Sequence, residues 1–270
     1  MKQKFFYCYA TANDKRLYRK DIINLTQIKN KSTGLAEVVL FIAISEVNKM
    51  NAFDKIFIST VKNLFKDHPE IVLEEIFFKD NLGRDMSSYD CLFQKVNRLA
   101  GPKDYVFFQN RSGYGPCLDN WYKDFIQQFE RFDGIALCGS TINFLDHPSR
   151  GLKGDLPHIQ TYSFLTNISF LRMLKHGFPG AKETDRSQLI IKGEIGLSQF
   201  YLNKGYRITC MEWPDLAISN QSAAPADSDI REEVRSKHQF YHRKFNKRLA
   251  TKVKSTIISY CDVSWTLLRA

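Results

Sequence analysis

The sequence predicts a layered α/β domain with a mainly parallel central sheet, followed by a basic tail. Three observations predict it. Short apolar runs alternate with segments of helical period over the first 210 residues, the pattern of strand–helix–strand units. Several runs are apolar without interruption and end in Gly, Pro or a polar turn, as strands buried on both faces do. From residue 221 the composition changes to a polar linker, QSAAPADSD, and then to a cationic segment.

In chain order, KFFYCYA (4–10) reads as the first strand. Leu35 to Met50 reads as a helix, because Val38, Val39, Ile42, Ala43 and Val47 can share one face. DKIFIST (54–60) reads as a second strand and IVLEEIFFKD (71–80) as a third, with Met86 to Leu99 helical after it. DYVFFQN (104–110) follows as a buried strand, and Leu118 to Phe129 as an amphipathic helix introduced by Pro116. DGIALCGS (133–140) is another strand, 143–157 a loop, and HIQTYSFLTN (158–167) an alternating strand. Ser169 to His176 and Ser187 to Asn203 read as helices, and RITCME (207–212) closes the sheet. This divides the chain into a domain over 1–220 and a linker with a basic amphipathic helical tail over 221–270.

Composition narrows the class. Of 270 residues, 43% are hydrophobic and 25% charged, as expected for one large globular domain with an appendage. The six cysteines are scattered, with no pair at C-x-x-C spacing. They read as small buried hydrophobes in a reducing compartment, not as a zinc site or disulfide frame. The N-terminus lacks the pattern of a signal peptide. The run VVLFIAI (38–44) is far short of the roughly 20 residues a membrane span needs. A cytoplasmic location is expected. The net charge is +10, and residues 231–270 carry ten Lys or Arg against three Asp or Glu. Aromatics Phe240, Tyr241 and Phe245 lie among those cations. Such a tail suits an anionic membrane surface or a polyphosphate; it equally suits a solvated helical face.

Four stretches carry residue types fit for chemistry. NLGRD (81–85) places Asn81, Gly83, Arg84 and Asp85 between a strand and a helix; Gly83 permits a tight turn or close backbone approach, and Arg84 can grip a phosphate. QNRSGYGP (109–116) ends a strand with Asn110, Arg111 and Ser112, donors for a diphosphate or a simple polar connection. HIQTYSF (158–164) sets His158, Gln160, Tyr162 and Phe164 on one side of a strand, with His158 a metal ligand, a phosphate binder or a structural residue. In KGEIGLSQFYLNKGY (192–206), Gly193 and Gly196 flank Glu194 in a helical pattern. Each costs about 1 kcal/mol against Ala there, so Glu194 at a cleft is the reading that justifies them, as a general base or a helix-start carboxylate.

In this order the motifs resemble the bacterial rhamnan synthesis protein F group of polysaccharide glycosyltransferases, over about residues 50–210. The resemblance implies a GT-A-type nucleotide-sugar transferase acting on a growing bacterial surface polysaccharide (O-antigen, capsule or rhamnan type). By register, Asn81 and Gly83 match the segment before the strand that carries the acidic D-x-D pair, the holder of a divalent metal. Asn110, Arg111 and Ser112 fall where that pair is expected. An Arg cannot ligate a cation, so a Mg²⁺ or Mn²⁺ site is not favoured, and Arg111 is expected to stand in for the metal, with Asn81, Gly83, Arg84, Asn110 and Ser112 on the donor. Glu194 is implied as the base, Asp85 as the competing carboxylate, and His158, Gln160 and Tyr162 as acceptor- or sugar-lining residues. Implied partners are a nucleoside-diphosphate sugar, a lipid-linked oligosaccharide, an anionic membrane reached through the tail at the inner face of the cell membrane, and other polysaccharide-assembly transferases. Two other classes fit the same residues: a catalytically inactive module of this fold that binds a partner transferase, and a nucleic-acid-binding protein suggested by the basic tail. The second lacks any recognition motif.

Overall fold

The computed structural model describes residues 3–14, 17–145, 155–220, 222 and 239–243. Its centre is a seven-stranded sheet in the order β3–β2–β1–β4–β9–β6–β10. β1 (Phe5–Ala12) lies between β2 (Val38–Glu46) and β4 (Tyr105–Asn110), parallel to both. β3 (Ile71–Asp80) continues in parallel beyond β2. On the other side, β9 (Ser163–Asn167) runs antiparallel to β4 and to β6 (Ile135–Gly139), and β10 (Arg207–Cys210) is parallel to β6. The expected mainly parallel α/β sheet is what the chain forms.

Alternation along β1 shows how the layers close. Phe6, Cys8 and Ala10 enter one core cluster, with Met86, Tyr89 and Leu92 of α3 (Arg84–Asn97). Tyr7 and Tyr9 enter the opposite one, with residues of α1 (Arg19–Asn30), α2 (Ala52–Phe65) and α4 (Trp121–Glu130). Helices therefore cover both faces, and strands buried on both faces have no polar side.

That burial explains two corrections. Leu35 to Met50 is not a helix: Val38–Glu46 is β2, whose side chains are buried on both faces, so its apolar run also satisfies a helical period. DKIFIST is not a strand but the middle of α2. The helix starts at a capping box, in which Asn51 accepts from the Phe53 amide at 2.9 Å and Asp54 accepts from the Asn51 amide at 2.7 Å.

Three further differences bear on the site. Residues 158–167 are not one strand. His158 belongs to β8 (Asp155–Ile159), which pairs with β7 (Ile142–Leu145) in a separate small sheet, and the chain turns at 160–162 before β9. The expected loop over 143–157 thus holds strand at both ends, and its middle lies outside the described residues. The helix over 187–203 is composite, made of α6 (Arg186–Gln188), a π-helical stretch at Leu189–Ile195 and α7 (Gly196–Leu202). Short α5 (Ile168–Arg172) follows β9.

Most of the expected tail helix lies outside the described residues. Within it, Tyr241–His242 form β11, paired antiparallel with β5 (Gly113–Tyr114). Phe240 is fully buried, its ring 5.1 Å from Phe107 and 5.5 Å from Trp121. This stretch is extended and packed on the domain. Among the described residues no helix is long and apolar enough to cross a membrane.

Candidate functional site

In a sheet wound to both sides from β1, the crevice outside the carboxyl ends of β1 and β4 is the switch point where α/β proteins place ligands. The loops after β1, β3 and β4 open there, and they carry Asp14, NLGRD and Asn110–Ser112.

Arg111 lies across the end of β1. Its Nε donates to Asp21 at 3.1 Å, its Nη1 to Asp14, and its Nη2 to the Thr11 hydroxyl at 2.9 Å and to the Ala12 carbonyl. Asp21 is 1% exposed and Asp14 38% exposed. Burial alone would lower the Arg111 pKa; Asp21 and Asp14 more than offset it and hold the guanidinium protonated. The positive charge expected to face a diphosphate is therefore shared between two carboxylates of the chain itself.

A second guanidinium joins this cluster from the far end of the sequence. Arg243 Nη2 donates to Asn24 at 2.5 Å and to the Lys20 carbonyl at 3.0 Å, over the Tyr114 ring. Asn24 donates to Tyr9 at 3.1 Å, and Tyr9 donates to Asp21 at 3.0 Å. Burial and Asp21 push the Tyr9 phenol up, so it stays a neutral donor.

The NLGRD turn is shaped by protein, not left open for a ligand backbone. Gly83 has φ +64°, and a Cβ there would run into the Ala181 carbonyl. Arg84 is also left-handed, at φ +46°, and is exposed. Buried Lys79 pins the turn, donating to the Asp80 carbonyl at 2.6 Å, the Leu82 carbonyl at 2.8 Å and the Ser87 hydroxyl at 3.1 Å. Asn81 is exposed at its tip.

Asp85 opens α3 and accepts from Asn110 Nδ2 at 2.8 Å, which joins the two motif loops. Asn110 Oδ1 in turn accepts from the Ser112 amide at 2.8 Å. Desolvation raises the Asp85 pKa, against the opposing pull of Arg111, Arg84 and Lys79. Tyr89, one turn on, donates to the Thr161 carbonyl at 2.7 Å, and both Asp85 and Glu194 act on its phenol electrostatically. Glu194 reaches this place because it sits in the π-helical stretch, where Gly193 lies against Met86 of α3; a Cβ at Gly193 would be 2.8 Å from Met86 Cγ. π-Bulges of this kind recur at functional sites.

The geometry thus brings Asp85, Asn110, Ser112, Arg111 and Glu194 to one end of the sheet. It does not align His158, Gln160 and Tyr162. His158 is buried, its Nδ1 2.6 Å from the Leu156 carbonyl. The Gln160 amide donates to the Thr141 carbonyl at 3.1 Å. Tyr162 is buried with its hydroxyl 3.4 Å from Thr141 Oγ1. Asp14, Asp21, Asn24, Lys79 and Arg243 were not anticipated. Two of them carried a sequence signal: Lys79 stands at the end of an apolar strand, and Arg243 lies in the basic, aromatic stretch of the tail.

The resemblance implies a divalent metal, Mg²⁺ or Mn²⁺, held by an acidic pair at the end of β4, and Asn110, Arg111 and Ser112 offer no carboxylate there. Among the described residues no group of three His, Cys, Asp or Glu could hold a metal, and the acids at the end of β1 already hold Arg111.

No protein-family model matches this sequence, and no curated protein is detectably similar to it in sequence. Solved structures do resemble it. A mannosyltransferase from Pyrobaculum calidifontis, in complex with GDP-Man and Mn²⁺, superposes with a TM-score of 0.50 at 8% identity, over 84% of this chain. The chain spans 59% of that enzyme's length. The bifunctional glycosyltransferase WbbM gives 0.46 at 12% identity, over 90% of this chain and 46% of its own. S. aureus TarS 1–349 in complex with UDP gives 0.47 at 12%, over 82% and 59%. At such identities the likeness speaks for architecture, and it rests on the mannosyltransferase: the chain has a GT-A-like α/β fold.

Proposed function

We propose that the protein is a glycosyltransferase that moves a hexosyl or deoxyhexosyl group from a nucleoside-diphosphate donor to an acceptor hydroxyl. One observation carries this reading. At the switch point of a fold shared with a GDP-Man-bound transferase, Asp85, Asn110 and the π-helix carboxylate Glu194 converge from three separate elements.

In the proposed reaction the acceptor oxygen attacks the anomeric carbon as the bond to the diphosphate breaks, and the leaving nucleoside diphosphate keeps the electron pair. Glu194 takes the acceptor's proton, with inversion. Charge on the leaving group is met by the exposed Arg84 and Asn81. Arg111 acts differently from the simple stand-in for a metal that the motifs suggest. Its guanidinium locks the end of β1 and holds the crevice wall, which supports a metal-independent site. Asp85 orients Asn110. The raised Asp85 pKa also favours a second reading, in which Asp85 is the base.

The acceptor belongs in this proposal too: a lipid-linked oligosaccharide of a bacterial surface polysaccharide, reached by a cytoplasmic enzyme held at the inner face of the membrane, beside other transferases of the assembly. The ion-paired state of Arg111 equally favours an inactive module of the same fold. Thermal denaturation with UDP, GDP, dTDP and CMP, each in EDTA and then with Mn²⁺, separates these. Binding to the folded state raises Tm by mass action. A shift that persists in EDTA is the expected result; a shift only with Mn²⁺ overturns metal independence, and none at all overturns the donor site.

A further inference from the structure

Ten large hydrophobic side chains are more than one-third exposed among the described residues, and six of them crowd one end of the molecule. Leu17 (50%) lies after β1; Val47 (44%) and Met50 (51%) lie after β2; Phe53 (37%) and Ile56 (39%) lie on the first turns of α2; Leu82 (36%) lies after β3. The remaining four, Val72, Leu99, Leu118 and Leu216, are scattered over the chain. The clustered six all follow the carboxyl ends of three adjacent strands, the end at which the candidate site opens.

The loops that carry them are tied together. Asn13 Oδ1 accepts from the Val47 and Asn48 amides at 2.7 and 2.8 Å, and its Nδ2 donates to the Asn48 carbonyl at 2.6 Å. Tyr18, next to Leu17, stacks on Phe57 of α2 at 4.0 Å and donates to Asp54 at 2.6 Å. Lys79 fixes the Leu82 carbonyl at the third loop. The apolar side chains are therefore held in place on a fixed rim.

Among them stand exposed Lys20, Lys49, Lys55 and Arg84, against exposed Asp14, Glu46 and Asp80. Apolar tips separated by cations suit a lipid interface. Acyl chains receive the tips, and anionic headgroups receive the lysines.

We propose that this rim, formed by the loops after β1, β2 and β3 and the start of α2, docks the protein on an anionic lipid surface with the crevice facing the bilayer. The proposal is separate from any contact made by the basic tail and does not depend on the transfer reaction.

The test is flotation of the full chain with vesicles of phosphatidylcholine containing about 30 mol% phosphatidylglycerol, and with phosphatidylcholine alone. Two variants accompany the wild type: Val47→Ser/Met50→Ser/Phe53→Ser, and Lys49→Glu/Lys55→Glu. All five positions are exposed and outside the candidate site, so Tm should stay at the wild-type value and confirm folding. The wild type should bind the anionic vesicles, and each variant should bind at least about tenfold more weakly. Equal binding by wild type and the apolar variant would overturn the proposal, as would no binding by the wild type. Light scattering that shows a dimer abolished by the apolar variant, with no vesicle binding, would assign the rim to a second copy of the chain and likewise overturn it.

Discussion

The Nε of Arg111 lies 3.1 Å from the carboxylate of Asp21, 90 residues away in sequence and 1% exposed. Removing one member of a buried ion pair leaves the other charged and desolvated. Arg111→Ala should therefore cost about 3–5 kcal/mol of stability, read by urea denaturation. If the stability is unchanged, Arg111 is not holding the end of β1.

Glu194 and Asp85 are to be told apart by chemistry. Glu194→Gln keeps shape and hydrogen-bonding capacity but cannot take a proton. Turnover should fall by roughly 10²–10⁴-fold while the nucleotide-induced Tm shift is retained. If Asp85→Asn shows that loss and Glu194→Gln does not, the base is Asp85.

Asp85 also has a stability signature. Folding raises its pKa, so the folded protein holds that proton more tightly than the unfolded chain does. The favourable contribution is complete below the ordinary Asp value and is lost as pH climbs through the raised one. Asp85→Asn, which can still accept from Asn110, should raise Tm at pH 7. The gain should shrink as pH approaches about 3.9, the ordinary value for Asp.

Gly83→Ala should destabilise the protein by at least about 1–3 kcal/mol. A β-carbon would be strained at φ +64° and would collide with the Ala181 carbonyl. Chemical denaturation reads the loss, and an unchanged midpoint would mean that the two loops are not in contact.

Phe240→Ala should cost about 3–5 kcal/mol, the range for emptying a buried aromatic position. The same denaturation experiment reads it. A neutral result would mean that residues 239–243 leave the aromatic pocket in solution.

Strands with a sharp end were legible in the sequence. β1, β3, β4, β6 and β10 announce themselves by apolar runs that stop at polar or Gly-rich turns, and the α/β layering follows from their spacing. β2 and α2 exchanged identities because burial on both faces removes the alternation that separates the two periods. The N-x-x-D pattern at Asn51–Asp54, a capping-box variant, was the local sign that a helix begins there. At the site, the loops NLGRD and QNRSG could be read because their residues are neighbours in sequence. The partners of Arg111 could not. Asp14 and Asp21 come from a loop and a helix whose meeting with β4 is a product of the sheet order.

The pairing of β11 with β5 has a consequence for synthesis. When residues 1–220 have left the ribosome, the pocket between Phe107, Trp121 and Phe125 still lacks the ring that fills it. Asn24 likewise waits for Arg243. The nascent domain can assemble its sheet as its strands emerge, but it cannot reach its final packing until the translation of residue 243 is complete and that segment is clear of the exit tunnel. A step in completing this core is therefore set by a segment encoded more than 120 codons after the strand it joins.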